Sequence, residues 1–352
     1  MNSTYPAATD SRPSDRLTVI VPAFNEAESI ADTIRSLQAQ SCPPAEIVVV
    51  DDCSTDSTST VARDCGATVR QPPSNTGSKA GAQTFALPFV KTELSMAVDA
   101  DTTLATDAIE KLLEVFEDPE VVAASGSVLP RHVHTVWERG RYVEYLFAFA
   151  FFKRIQDHYG RPMISSGCFS AYRTNSLRAA GGWSNRTMAE DMDLTWTFYQ
   201  AGGKVRFVPE AVCYPIEPHN LSLMRKQLRR WSHGFIQNVR LHRSALLHLG
   251  YLRSMVMLAA WDAVVASLAL LVVLPVLSVV VSPMFLLGYI IDAPVVLIPV
   301  LIDARKRGEF RKALFSFPAY FVLRVANGVM MLAAFVKECI LRRPLLVYEK
   351  GH

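Results

Sequence analysis

The run SMVMLAAWDAVVASLALLVVLPVLSVVV, from Ser254 to Val281, limits this chain more than any other feature. It carries a single charge, Asp262, and is long enough to cross about 30 Å of hydrocarbon. A second run, MFLLGYIIDAPVVLIPVLI, covers 284–302, and Ser282 and Pro283 between the two read as a tight turn. The basic loop DARKRGEFRK follows, and positive charge at a span's end favours the cytosolic side. Both ends of this hairpin are then cytosolic. A third stretch, at about 313–340, is long enough to span but contains Pro318, Arg324 and Asn327. If it crossed, the basic tail LRRPLLVYEKGH would lie outside, against the charge rule, so a re-entrant or interfacial course is favoured. Charged groups inside such segments are functional candidates. Asp262 reads as a headgroup-level residue, and Asp292 as a partner for Arg324.

Before this region the polarity is ordinary, and the whole chain of 352 residues carries a net charge of only +3. That excludes the basic footprint of a nucleic-acid binder. Six scattered cysteines contain no C-x-x-C pair, which argues against a disulfide framework or a zinc site. The first fifteen residues are rich in Ser, Pro and Asp without an apolar h-region, so they read as a disordered tail and not a secretory signal. The resulting division is a tail at 1–15, a cytosolic catalytic domain at 16–224, an amphipathic interfacial helix at 225–250, and a membrane region at 251–352. With no eukaryotic targeting pattern, the expected setting is a bacterial plasma membrane.

Three apolar, β-branched runs punctuate the first hundred residues: LTVIV, EIVVV and LSMAV. Helical patterns separate them, which predicts an α/β fold with a parallel sheet covered on both faces. Each run is followed by acids: PAFNE after the first, DDCSTD after the second, DAD after the third. Ligands of open α/β sheets sit at the carboxyl ends of strands. One crevice therefore receives Asn25, Glu26, Asp51, Asp52, Asp99 and Asp101.

The two carboxylates of DAD can share a hard divalent cation with substrate oxygens, since magnesium takes one or two protein carboxylates plus phosphates. Asp-x-Asp is also common in solvated turns. Asp51 or Asp52 suits a nucleobase or ribose, although DDCSTD reads equally as a helix-capping sequence. NTGSKAGA lacks P-loop spacing, and no G-x-G-x-x-G follows a strand. Lys79 is then a phosphate or base contact, or a surface lysine. In MAEDMDLTW, the acids Glu190, Asp191 and Asp193 open a helix, where they suit its dipole. Asp191 also suits a general base taking a proton from an acceptor hydroxyl. In KQLRRWSHGFIQNVRLHR, an apolar face of Leu228, Trp231, Phe235, Ile236 and Val239 predicts a helix in the headgroup plane. There Arg230 can charge-assist a diphosphate and Trp231 can stack on a sugar. A nucleotide sugar needs a metal and cations on its diphosphate, and its acceptor alcohol needs a free carboxylate. Attack opposite its leaving group would invert the anomeric centre.

The ordered set VPAFNE, VVVDDCSTD, DAD, AED and Q-x-x-R-W, over about Leu17 to His242, resembles glycosyltransferase family 2. It is most similar to the membrane-bound polysaccharide-synthase branch, with hyaluronan, chitin, cellulose and poly-N-acetylglucosamine synthases. The segment from Glu190 to Trp231 is most like the last of these. The resemblance implies a GT-A fold, Rossmann-like and nucleotide-sugar-binding, and a hexosyltransferase using a UDP-sugar with Mg²⁺ or Mn²⁺. It implies donor contacts from Pro22, Asn25, Glu26, Asp51, Asp52, Lys79, Asp99, Gln227, Arg230 and Trp231. It further implies metal ligation by Asp101 with Asp99, acceptor contacts from Ser166, Gly167, Cys168 and Glu190, and Asp191 as base.

Two departures stand out: no membrane span precedes the catalytic part, and no cellulose-synthase gating loop is present. A secretion channel then requires combined subunits, a homo-oligomer. Otherwise the product is short or lipid-linked. Three readings follow: extension of a β-linked saccharide acceptor, single transfer to a lipid or protein acceptor, and an inactive membrane scaffold or transport subunit.

Overall fold

The computed structural model describes residues 13–345 and 347, leaving aside the side chains of 13–14 and 290–292. Residues 1–12 of the expected tail lie outside that range; Pro13–Arg16 form one short helical turn. The three apolar runs become β1 (Leu17–Ala23), β2 (Glu46–Asp51) and β4 (Leu94–Val98), with β3 (Thr68–Arg70) between the last two. The sheet is completed by β5 (Thr103–Leu104), β6 (Val121–Val128), β7 (Phe169–Arg173) and β8 (Lys204–Tyr214), in the order β3-β2-β1-β4-β7-β6-β8-β5.

The expected parallel pairing holds for β3, β2, β1 and β4. Beyond β4 the sheet is mixed, because β7 runs antiparallel to both β4 and β6, while β6 and β8 are parallel. Register explains the crevice. Ala23 pairs with Asp51, and Ile20 with Ala97, so all three acidic turns emerge at one sheet edge.

Among the described residues, nine helices pack around the sheet: α1 (Ile30–Gln38), α2 (Thr58–Asp64), α3 (Lys79–Ala86), α4 (Ala108–Glu114), α5 (Val136–Phe147), α6 (Lys153–His158), α7 (Thr174–Ala179), α8 (Glu190–Gln200) and α9 (Leu221–Leu241). Val19, Val21 and Val49 face Ile30 and Ile34 of α1 on one side. Ile20, Val48 and Val50 meet Ala80 of α3 and Trp196 of α8 on the other. Alternate strand residues point to opposite faces, so β-branched runs without polar interruption suit strands buried on both.

After the short α10 (Arg243–Leu246) come α11 (Gly250–Val280), α12 (Gly288–Lys306) and α13 (Phe310–Ile340). The helices α11 and α13, each 31 residues, are long and apolar enough to cross a membrane, with mean hydropathies of 2.8 and 1.7 over an 18-residue stretch of each. Ser282 Oγ accepts from the Met284 amide at the turn between α11 and α12.

One expectation is corrected. The helix carrying Q-x-x-R-W is no simple surface helix. Ser232, His233 and Asn238 are buried along with Met224, Leu228 and Ile236, because α9 is packed between the sheet unit and α13. Its Gly234 lies so close to the chain before α8 that a Cβ there would meet Ala189 at 2.7 Å. Arg324 meets Asp262 at 3.2 Å; its expected partner, the Asp292 side chain, lies outside the described residues.

Candidate functional site

A cavity of 590 Å³ opens at the carboxyl edge of β4 and runs beneath α5, α9 and α13. Its wall includes Lys79, Asp99, Asp101, Ser166, Gly167, Cys168, Glu190, Asp191, Gln227, Arg230 and Trp231. Eleven of the residues singled out in the sequence thus come together. Pro22, Asn25, Glu26, Asp51 and Asp52 do not line it; they form the neighbouring turns at the same edge.

Those turns are closed upon themselves. Asp51 accepts from the Ser54 amide at 2.9 Å and from the Ser59 hydroxyl. Asp52 accepts from the Thr76 amide and hydroxyl at 2.7 and 2.9 Å, which fixes the chain entering α3. Asn25 adopts a left-handed φ of 54°, tolerated by asparagine. Its Oδ1 accepts from the Thr55 amide at 2.8 Å, stitching the first turn to the second. Glu26 is buried and accepts from Ser29 Oγ at 2.9 Å. Pro22 is half-buried in β1.

Lys79 stands at the start of α3, behind an N-cap in which Ser78 Oγ accepts from the Gly81 amide at 3.0 Å. Its ammonium lies 2.5 Å from Asp99 Oδ1 and donates to the Gly167 carbonyl at 3.0 Å. The Gly167 amide in turn donates to Asp191 Oδ2 at 2.9 Å. The two peptide groups flanking Gly167 therefore hold the lysine through a carbonyl and the carboxylate through an amide. A Cβ at Gly167 would sit 3.0 Å from Asp191 Oδ2 and 3.2 Å from Lys79 Nζ. Burial pushes the Glu190 carboxyl up, the neighbouring Asp191 charge adds to this, and Lys79 and Arg230 pull it back. Asp193 faces elsewhere. Burial raises it, but bonds from His242 and Arg186, at 2.6 and 2.7 Å, outweigh that and hold it low.

Asp101 is buried, bonded by Thr102 Oγ1 at 3.1 Å, and its carbonyl accepts from Arg131 at 2.8 Å. Among the described residues no three His, Cys, Asp or Glu side chains form a cluster able to hold a metal. Two carboxylates, one already facing a lysine, match a magnesium-like ion that takes most of its oxygens from phosphates and water.

Sequence reasoning missed the group that orients the Q-x-x-R-W residues. Arg141 is fully buried on α5. It donates to Gln227 Oε1 at 2.7 Å, faces Glu217 at 3.3 Å, pairs with Glu144, and lies 4.6 Å from the Trp231 ring centre. Burial opposes its charge, but Glu144, Tyr145 and Glu217 outweigh that and hold the guanidinium above its usual range. Burial likewise pushes the Glu217 carboxyl up, against the pull of Arg141. Glu144 also accepts from Asn327 of α13 at 2.8 Å. The available signal was Arg141 and Glu144 three apart in a helical run, the spacing at which side chains meet. Lys153 is a second omission. It is buried, donates to Ser166 and Ser125 at 3.0 and 2.9 Å, and desolvation pushes its ammonium down to about 8.

The family described as "Glycosyltransferase like family 2" matches residues 13–234. A poly-beta-1,6-N-acetyl-D-glucosamine synthase of Staphylococcus epidermidis is 26% identical over 223 residues, covering 62% of this chain and 54% of its own length. One from Staphylococcus aureus is 25% identical over 222 residues, with the same coverage. The chain thus spans about half the length of the curated relatives it matches. Among solved structures, the mannosyltransferase PcManGT from Pyrobaculum calidifontis, in complex with GDP-Man and Mn²⁺, superposes with a TM-score of 0.61. It is 20% identical and the match covers 96% of this chain and 91% of that one. S. aureus TarS 1-349 in complex with UDP-GlcNAc gives 0.51 at 16% identity, over 92% and 91% of the two chains. At these identities the likeness is one of fold.

Proposed function

Because this chain belongs to glycosyltransferase family 2, we propose that it is an inverting, UDP-sugar-dependent transferase that extends a β-linked saccharide at the inner face of a bacterial membrane. The observation that carries this reading is the Asp191 carboxylate. It is held by the Gly167 amide on the wall of a cavity whose same rim presents Lys79, Arg230 and Trp231. A base and cations on the wall of one cavity suit a sugar between an acceptor hydroxyl and a departing diphosphate.

In this reading Asp191 takes the acceptor proton. Lys79 and Arg230 lie where charge would grow on the diphosphate, and Trp231 offers its ring to a sugar face. Gln227 is oriented by Arg141. The turns of Pro22, Asn25, Glu26, Asp51 and Asp52 would meet the nucleoside, while Ser166, Gly167, Cys168 and Glu190 border the acceptor side. Asp101, joined by Asp99, would hold Mg²⁺ or Mn²⁺, which when bound neutralises phosphate charge. The likeness to poly-N-acetylglucosamine synthases makes UDP-GlcNAc the first donor to try.

A second reading, one transfer onto a membrane-borne acceptor, is favoured by the cavity's reach between α11 and α13, to Asp262 and Arg324. The test is UDP release by purified protein in detergent, with Mg²⁺ or Mn²⁺, over a panel of UDP-sugars. Release from one donor that is lost in Asp191→Asn supports the proposal, and product length then separates the two readings. An unaltered rate in Asp191→Asn would remove the base assignment.

A further inference from the structure

The helices α11 and α13 are equal in length, and both pass for membrane spans, yet their surroundings differ. The apolar window of α11 has none of its residues buried inside the protein, whereas 28% of that of α13 is. At its start, Glu309 accepts from Tyr142 of α5 at 2.9 Å. Near its middle, a Cβ at Gly140 of α5 would meet the Ala319 carbonyl at 2.8 Å, and Asn327 bonds Glu144 of α5 at 2.8 Å. At its end, Glu338 meets His233 and Gln237 of α9, each at 2.7 Å. A 31-residue helix is about 46 Å long. It touches the catalytic unit over all of that length.

The helices it touches are on the sheet's side of any bilayer. Only seven residues join β6 to α5, and only six join β8 to α9, far too few for a span. Both ends of α13 are therefore on that side. Charge agrees: Arg305, Lys306, Arg311 and Lys312 are exposed at one end, and Lys337, Arg342 and Arg343 at the other. A crossing helix would carry one of these basic groups to the far side, against the rule that basic flanks stay inside.

The outward face is apolar. Phe315, Val322, Val325, Val329, Val336 and Ile340 are all exposed, Phe315 by 73%. Their spacings of seven, three, four, seven and four return to one side of a helix. The opposite side buries Ala313, Tyr320, Leu323 and Ala334. The helix crosses α11 at Asp262 and Arg324, 3.2 Å apart, and at Gly328, where a Cβ would meet Leu271 at 2.9 Å. Past that crossing α11 runs on to Val280 as the exposed arm of the hairpin, the part suited to lipid.

We propose that α13 does not cross the bilayer but lies along its surface on the sheet's side. Its protein face roofs the candidate cavity, through Tyr320, Arg324 and Asn327. Its apolar stripe is set into an anionic leaflet between two basic ends. An amphipathic helix with cationic flanks is held there by buried apolar area together with attraction to anionic lipid. The inference rests on the membrane reading above, not on the sugar chemistry.

The test uses the full chain in sealed vesicles of either orientation, and a maleimide that cannot cross the membrane. One variant keeps exposed Cys339 as its only thiol; Lys312→Cys and Glu114→Cys, made without native cysteines, report the other end of α13 and the sheet. All three should react from one side. Reaction of Cys339 and Lys312→Cys from opposite sides would overturn the proposal. A polarity-sensitive dye on Val322→Cys should then lose at least half its emission in phosphatidylglycerol vesicles with brominated acyl chains. Unquenched emission would mean that protein covers the stripe, which also sinks the idea. UDP release is scored separately, on the unsubstituted chain, which keeps Cys168 in the cavity wall. One-sided labelling without release would count against the transferase reading alone.

Discussion

The turns after β1 and β2 and the layer of α5, α9 and α13 hold their polar groups in opposite ways. In the turns, the polar groups are satisfied by nearby loop residues: Asp51 by Ser54 and Ser59, Asn25 by Thr55, and Asp52 by Thr76 before α3. In the helical layer the polar groups depend on distant chain. Arg141 reaches Gln227, 86 residues away, and Glu144 reaches Asn327, 183 away. A local hydrogen bond lost from a turn leaves its partner near water. A buried charge that loses its partner leaves another buried charge exposed to a low dielectric, which costs several times more.

The comparison can be broken most sharply at the carboxylate between the two regions. Asp191→Asn should lower UDP release by about 10²- to 10⁴-fold, the usual contribution of a positioned base, with the melting temperature little changed. Arg141→Met should come next. It leaves Glu144 and Glu217 without their countercharge and should destabilise the protein by about 3–5 kcal/mol, seen as a lower melting temperature in detergent. A melting curve like that of the wild type would mean that the layer is as self-sufficient as the turns. Gly167→Ala should cut kcat by about tenfold with little change in donor KM, since a Cβ there displaces the carboxylate from its working position. Asp52→Asn should be mildest, about 1 kcal/mol, and should show as a raised donor KM.

Lys153 adds a pH signature. Its folded ammonium lies at about 8, below the 10.5 of the unfolded chain. Between those values the unfolded state binds more protons, so this group makes stability rise as pH goes from about 8 to 10.5. Melting temperatures of Lys153→Met across that window should lack that part of the rise.

The same contrast explains what could be read in advance. LTVIV, EIVVV and LSMAV are strands because β-branched residues buried on both faces leave few other options, and their acidic ends follow from position alone. β6, with Ala and Ser at its centre, and β7, which begins after the S-S-G-C turn, lack that pattern and were not found. The Q-x-x-R-W residues were legible as a motif, but not Arg141, which holds two of them. Beyond Glu144, three residues away, nothing local marks this arginine as fully buried, because Glu217, Gln227 and Trp231 come from distant chain. For α13, hydropathy reports length and apolarity but not that one face is spoken for by α5 and α9. Pro318, Arg324, Asn327 and the basic tail set it apart from α11 in sequence, but only contacts show which of its faces is taken.

Gly140 draws a boundary that composition conceals. With no side chain there, α5 and α13 meet backbone to backbone, at Ala319, and Arg141 is the next residue. The join between the sheet unit and the membrane region therefore has no slack in which to exchange parts. A chimaera cut at residue 250 would graft a foreign roof onto this seam. An interchangeable module would have to carry α5, α9 and α13 as one cassette.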